Sequence, residues 1–252
     1  MLDLIKLIKH HGYQAINDIR KAKLMDTHRG FPVIDEAKYS GNWQDVADCC
    51  PVKAISLNPV AVDLGKCIFC GECEKISNGA IEFTNEVKLA SSNREGLIIS
   101  SGNNYDIYSK EAVKSKKEIH KLFGRSLKLR QVSAAGCNGC EMELGACGNV
   151  NFDMGRFGID FTASPRHADG IVFTGPVSKN MAPALLDAYK SIAAPKIVIA
   201  VGACAISGGL FAESGQINRS VLDEIKIDLY VSGCPPHPLT FINAVLDFLG
   251  IK

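Results

Sequence analysis

The chain has 252 residues with 28 basic and 27 acidic side chains, 46% hydrophobic and 22% charged residues. That composition is globular rather than disordered, and a net charge of +1 leaves no overall field to gather nucleic acid. At roughly 150 residues per domain, the length predicts one large domain or two smaller ones. The first predicted element is a helix with an apolar face of Leu2, Leu4, Ile5, Leu7 and Ile8, interleaved with Lys6, Lys9, His10 and His11. Such a helix suits a membrane interface or a protein neighbour. No signal-peptide pattern is legible at the N-terminus. The most apolar stretch, residues 197–212, contains Cys204 and Gly208-Gly209 and falls short of the roughly 20 residues that span a bilayer. The expected location is cytoplasmic, soluble or peripheral.

Further along, residues 84–126 hold no cysteine and include the polar run Ser100-Ser101-Gly102-Asn103-Asn104, read as part of an inter-domain connection. Residues 109–123 follow as a Lys-rich helix with a weak stripe of Val113, Lys117, Ile119, Leu122 and Phe123. Its basic groups suit a solvated face or an acidic partner better than nucleic acid. From residue 127 onward, short β-branched runs alternate with helical stretches. Strands are predicted over 127–132, 159–163, 170–174, 196–201 and 228–231, and helices over 141–148, 178–192, 217–225 and 238–249. This alternation predicts a parallel α/β sheet with helices on both faces.

Ten cysteines fall at 49, 50, 67, 70, 73, 137, 140, 147, 204 and 234. In a cytoplasmic chain they point to metal ligation or redox chemistry rather than disulfides. Residues 66–73 read KCIFCGEC, a C-x2-C-x2-C run whose three thiolates can each take one iron of a cubane; zinc more often uses two separated C-x2-C pairs. In two-cluster bacterial ferredoxins a fourth cysteine, followed by proline, serves the other cluster. Cys50-Pro51 supplies that element upstream. In a complete repeat, three more cysteines would stand at positions occupied here by Ser40, Trp43 and Val46, and the second Cys-Pro element is replaced by Ser77-Asn78. All four losses fall on one cluster, leaving Cys50, Cys67, Cys70 and Cys73 as a complete 4Fe–4S set. A zinc-stapled loop is the competing reading. Cys49 is left over, as a packed small hydrophobe or a substitute for Cys50.

Cys137 and Cys140 follow the first strand of the second half, Cys204 the fourth and Cys234 the fifth. Ligands in open α/β sheets collect beyond the carboxyl ends of strands, so these four cysteines can converge. Glycines around them let backbone approach closely, and Pro235-Pro236 stiffens the turn after Cys234. Cys147 is expected to be structural, on the helix after Cys140.

The segments AAGCNGCEMEL, RFGIDFTASPRHADGIVFTGPVSKNM, VGACAISGGLF and SGCPPHP resemble the small subunit of group 4, membrane-bound NiFe hydrogenases, including formate hydrogenlyase. They are more distantly similar to the B-type component of respiratory complex I. The spacing C-N-G-C matches the hydrogenases, whereas the complex I components carry two adjacent cysteines there. The segments HRGFPVID and DLGKCIFCGECE resemble the ferredoxin-like subunit of the same assemblies, so two subunits look fused. The implied fold is a flavodoxin-like α/β domain (127–252) after a smaller α+β ferredoxin-like domain (1–99), joined by a basic segment (100–126).

The resemblance implies two 4Fe–4S clusters, one on Cys50, Cys67, Cys70 and Cys73, the other a proximal cluster on Cys137, Cys140, Cys204 and Cys234. The catalytic centre is then expected in a partner, a NiFe hydrogenase-like large subunit. A further iron–sulfur subunit and the membrane subunits of a complex I-like arm complete the expected assembly, on the cytoplasmic face of the inner membrane. The rival reading is a complex I-like subunit passing electrons to a quinone. Around the second cluster, Glu141 is read as a neighbour or proton relay, or else a solvated first-turn glutamate. Arg166 and His167 are read as a cationic pair reaching the same sheet edge, or as structural, and His237 as a neighbour or a turn residue.

Overall fold

The computed structural model describes residues 2–115, 117–123 and 126–251. Chain order begins with α1 (Leu2–His11), β1 (Pro32–Ile34), α2 (Trp43–Asp48), β2 (Ile55–Ser56), β3 (Ala61–Asp63), α3 (Glu72–Ile76) and β4 (Ile81–Phe83). Then come β5 (Ala90–Ser91), β6 (Ile98–Ser100), α4 (Tyr105–Glu111) and α5 (Lys117–Phe123). The second half runs β7 (Leu127–Ser133), α6 (Gly139–Ala146), β8 (Ile159–Phe161), β9 (Gly170–Thr174), α7 (Met181–Ser191), β10 (Ile197–Val201), α8 (Ala203–Ser207), β11 (Leu229–Val231) and α9 (Pro238–Leu249).

The large sheet has the order β5-β11-β10-β9-β7-β8, parallel except for β5. Counted from β7, its five parallel strands follow the order 2-1-3-4-5 of flavodoxin-like sheets, with the direction of winding switching between β7 and β9. The residues of β9 and β10 are all buried, as strands covered on both faces must be. Register pairs Ser133 with Thr174, Ala200 with Phe173 and Val201 with Val231, so four strands end level along one edge. One hydrophobic cluster, with Leu127, Leu129, Ile199, Val201 and the apolar residues of α9, covers one face; another, with Ile171, Phe173, Leu185 and Val198, covers the other.

The first part of the chain forms two small antiparallel sheets, β1-β4 and β2-β3-β6, around a third core of Val46, Val62, Ile81 and Phe83. The sixth strand of the large sheet, β5, comes from this N-terminal side, and pairs with β11 through Tyr230–Ser91 and Val231–Ala90. A further strap crosses α9: Arg20 donates to Asp247 and to the carbonyl of Ile251, and buried Asn243 donates to the carbonyls of Ile19 and Leu239. Replacing Asn243 with alanine leaves the Ile19 carbonyl without that donor inside the core. The expected cost is about 1–3 kcal/mol in urea unfolding, with both thiol sets intact.

Two predicted elements differ from the structure. The Lys-rich helix is two helices, α4 and α5, separated by residues 112–116; Tyr108 is buried, and its hydroxyl donates to the Ala90 carbonyl. The side chain of Lys117 in the predicted stripe, like residues 116, 124 and 125, lies outside the described residues. The helix predicted over 217–225 is a short 3-10 turn over Ser220–Glu224.

Candidate metal centres

The first set gathers where α2 ends, where the loop after β3 turns and where α3 starts. Cys49, Cys50, Cys67, Cys70 and Cys73 line one cavity with apolar Val52, Ala54, Ile55, Val62 and Phe83. Burial, with the neighbouring thiols acting in the same sense, raises the thiols of Cys67 and Cys73 to about 12. The backbone N–H of Ala54 points at the Cys50 sulfur at 3.2 Å, and that of Phe69 at the Cys67 sulfur at 3.3 Å. Cys49 is turned by its own contact, its thiol donating to the Val46 carbonyl at 3.1 Å.

The positions where further cysteines would stand in a complete ferredoxin repeat are otherwise occupied. Val46 is fully buried, Trp43 packs edge-on against Tyr39 at 5.0 Å, and buried Ser77 accepts from the Ile81 N–H at 3.0 Å.

The second set stands at the level strand ends. Cys137 lies on the turn after β7, Cys140 in the first turn of α6, Cys204 in α8 after β10, and Cys234 on the turn after β11. Burial raises the thiols of Cys140, to about 12, of Cys204, to about 11, and of Cys234; the other cysteines of the set add to each rise. Gly202 sits at φ +89°, and a Cβ there would meet the Cys140 sulfur at 2.5 Å, so this sulfur rests in a cradle that a side chain would fill. Cys137 and Cys234 are exposed, and so are Met142, Leu210 and Phe211 on the adjoining elements.

Among the described residues, no three side chains of Cys, His, Asp or Glu approach closely enough to grip one ion. Donor sets made entirely of thiols, the first of them lining a largely apolar cavity, suit an iron–sulfur cluster, for which cysteine thiolates are the usual ligands.

Glu141 is fixed at the switch point of the sheet. It accepts from the hydroxyls of Ser133 and Thr174, at the ends of β7 and β9. Burial pushes its carboxyl up, but the two hydroxyls and a backbone N–H more than offset this and leave it below the ordinary value. His237 caps α9 by accepting from the Leu239 N–H at 3.1 Å; burial, with His28 nearby, lowers it to about 4, so the ring is neutral at pH 7.

Arg166 and His167 are exposed and precede β9. Gly170 pairs with Leu129 and Ile197, so β9 starts about 13 Å below the cysteine edge at ~3.3 Å per residue. The pair therefore lies at the opposite end of the strand from the thiols and does not reach the edge the sequence suggested, because only eight residues join β8 to β9. Cys147 is buried in the core, with its thiol donating to the Glu143 carbonyl, apart from both sets.

The two sets share a wall. A cavity between them is lined by His28, Arg29, Ile68 and Phe69 on one side and Cys234, Pro235 and His237 on the other. Arg29 Nε donates to the Phe69 carbonyl at 2.7 Å, fixing the loop between Cys67 and Cys70. Behind that loop, a Cβ on Gly65 would meet both Ile206 of α8 and Arg94 at 2.8 Å. Arg94 holds Asp63 through both nitrogens at 2.8 and 2.6 Å, and Asp63 also accepts from the Gly65 N–H. Sequence reasoning missed Arg29, Arg94, Asp63 and Gly65 as parts of the site, since none of them carries a ligand spacing.

The sequence profile of the family described as NADH ubiquinone oxidoreductase, 20 Kd subunit, matches residues 137–248, from the first cysteine of the second set into α9. A probable membrane-bound hydrogenase subunit of Pyrococcus furiosus is 38% identical over 51% of this chain and 77% of its own length. The chain belongs to this family of oxidoreductase-complex subunits. Formate hydrogenlyase subunit 7 of Escherichia coli (strain K12) is 39% identical over 54% of this chain and 53% of its own length, so the chain spans about half of that relative. The B-type component of the NADH-quinone oxidoreductase of Geotalea daltonii is 41% identical over 42% of this chain and 62% of its own length. The family thus unites hydrogenase-type and complex I-type subunits, and its profile ends short of the N-terminal thiol set. Among the described residues, no helix is long and apolar enough to cross a membrane.

Proposed function

We propose that the chain is an electron-transfer subunit of an energy-converting NiFe hydrogenase of the formate hydrogenlyase type. Cys50, Cys67, Cys70 and Cys73 hold one 4Fe–4S cluster; Cys137, Cys140, Cys204 and Cys234 hold the other. Bound clusters supply one-electron carriers, and the protein's part is to fix their separation, exclude water and set the charge around them. The observation that carries the reading is the shared wall: Ile68 and Phe69 of the first ligand loop face Cys234 and Pro235 of the second across one cavity.

The exposed edge of Cys137 and Cys234, bordered by exposed Met142, Leu210 and Phe211, supports a docking face for a large subunit that holds the catalytic centre. Exposed Cys70 at the far end supports entry from a further iron–sulfur subunit. Membrane subunits then tether the chain peripherally on the cytoplasmic face of the inner membrane. The first domain (1–99), the basic segment (100–126) and the second domain (127–252) are the working division, with Val46, Trp43 and Ser77 filling the place of a lost ferredoxin cluster.

Anaerobic purification with iron, sulfide and EPR analysis tests this. About eight irons per chain and two cluster signals are expected. Changing Cys67 and Cys73 to serine should remove one signal, and changing Cys140 and Cys204 the other. An iron-free chain that binds zinc would overturn the proposal. Nickel and hydrogen uptake in the purified complex separate the hydrogenase from the complex I-like reading, in which the complex is nickel-free and reduces quinone.

A further inference from the structure

Arg219 stands on the turn after the last apolar loop of α8 and has no carboxylate partner among the described residues. Its Nη1 donates to the Cys204 carbonyl at 3.1 Å and reaches the Pro176 carbonyl at 3.5 Å; its Nη2 donates to the carbonyls of Ala205 and Ile206 at 2.9 Å each. The helix α8 has only five residues, so few of its carbonyls find backbone partners; Cys204 already accepts from the Gly208 N–H at 2.8 Å, and the guanidinium fork meets its carbonyl and the next two. Arg94, which lies with Ile206 of α8 against Gly65, is neutralised by its two bonds to Asp63. Arg219 is not.

We propose that Arg219 is a positioning residue for the second cluster: it clamps the turn carrying Cys204 and leaves an uncompensated positive charge behind that ligand, which raises the cluster's midpoint potential. This rests on the reading of the second quartet as a cluster site. A thiolate-bound cluster becomes more negative on reduction, so a fixed cation beside it favours the reduced form. Arginine remains protonated in proteins, so the charge persists across the working pH range.

A purely structural clamp and a charge-setting clamp separate in an EPR-monitored redox titration of the full chain, loaded anaerobically with ferrous iron and sulfide. Arg219→Gln removes the charge, Arg219→Lys keeps it with fewer donors, and Asn218→Asp adds an opposing charge at the adjacent position. Asn218 Oδ1 accepts from Ser220, a role that aspartate retains. The signal lost on changing Cys67 and Cys73 is the internal reference.

The expected result is a lower midpoint for the second cluster alone in Arg219→Gln, by about tenfold or more in the reduction equilibrium constant, ~59 mV for one electron. Arg219→Lys should stay near wild type, and Asn218→Asp should move in the direction of Gln. An unchanged midpoint in Arg219→Gln, or an equal fall in Arg219→Lys, overturns the charge-setting role. Should the Gln variant fail to hold the cluster, an unchanged midpoint in Asn218→Asp overturns it. A wild-type chain that takes up iron only at the first quartet overturns the underlying reading instead, and the inference with it.

Discussion

Replacing Gly202 with alanine is expected to abolish the second cluster while sparing the first. The residue sits at φ +89°, where an L side chain is strained by about 1 kcal/mol or more, and its Cβ would lie 2.5 Å from the Cys140 sulfur. The atom in the way is the Cys140 sulfur itself, and it can yield only by rotating away from its present direction. The neighbouring wall is the end of β10, buried along its whole length, and the Gly233 carbonyl lies 3.5 Å from the same Cβ. Either Cys140 turns out of the quartet or the turn between β10 and α8 shifts, carrying Cys204 with it. Both remove a ligand. Iron should fall from about eight to about four per chain with the first EPR signal unaltered, and the apoprotein should lose only about 1–3 kcal/mol in unfolding. A Gly202→Ala chain with full iron and both signals would mean that Cys140 is not held against this glycine when the cluster binds.

This sensitivity also explains what could be read in the sequence. The strands β9 and β10 are legible as β-branched runs buried at every residue, and β7 and β11 as alternations of buried with less buried residues. The cysteines of the second set could be placed together because parallel strands put all their carboxyl ends on one edge. Short elements were not legible. Two-residue β5 has no period to detect, yet it is the sixth strand of the large sheet and ties residues on the N-terminal side to β11. Five-residue α8 is hidden inside an apolar run, although it carries Cys204.

Charged groups were the hardest to place, because their partners are assembled only by the fold. Arg166 and His167 follow a predicted strand, which suggests the cysteine edge, but they fall at the opposite end of β9. Arg219 looks ordinary along the chain but faces three carbonyls of α8. The thiol spacing of C-x2-C-x2-C carried its chemistry locally, whereas the contact between Gly65 and Ile206 depends on how the two halves meet.

That contact gives the second large expectation: Asp63→Ala should destabilise the chain and loosen the link between the two ligand loops. Asp63 carries three bonds at once, two from Arg94 and one from the Gly65 N–H, and its side chain is 14% exposed against 27% for Arg94. Removing the carboxylate leaves a half-buried guanidinium facing Gly65 and Ile206 without its counter-ion, which costs about 3 kcal/mol by comparison with other broken buried pairs. For a chain of this size, that is a fall in Tm of about 6–12 °C. Asp63→Asn keeps the bond to Gly65 and part of the bond to Arg94, so its loss should be smaller; the difference between the two variants isolates the loop anchor from the charge. The ligand loop from Gly65 to Cys70 has two supports, the Asp63–Arg94 pair behind it and the Arg29 bond to the Phe69 carbonyl in front. If the pair fixes the separation of the clusters, electron exchange between them after rapid reduction should slow in Asp63→Ala. If stability falls and the exchange rate does not, the separation is held from the front, by Arg29 and the wall that Ile68 and Phe69 share with Cys234 and Pro235.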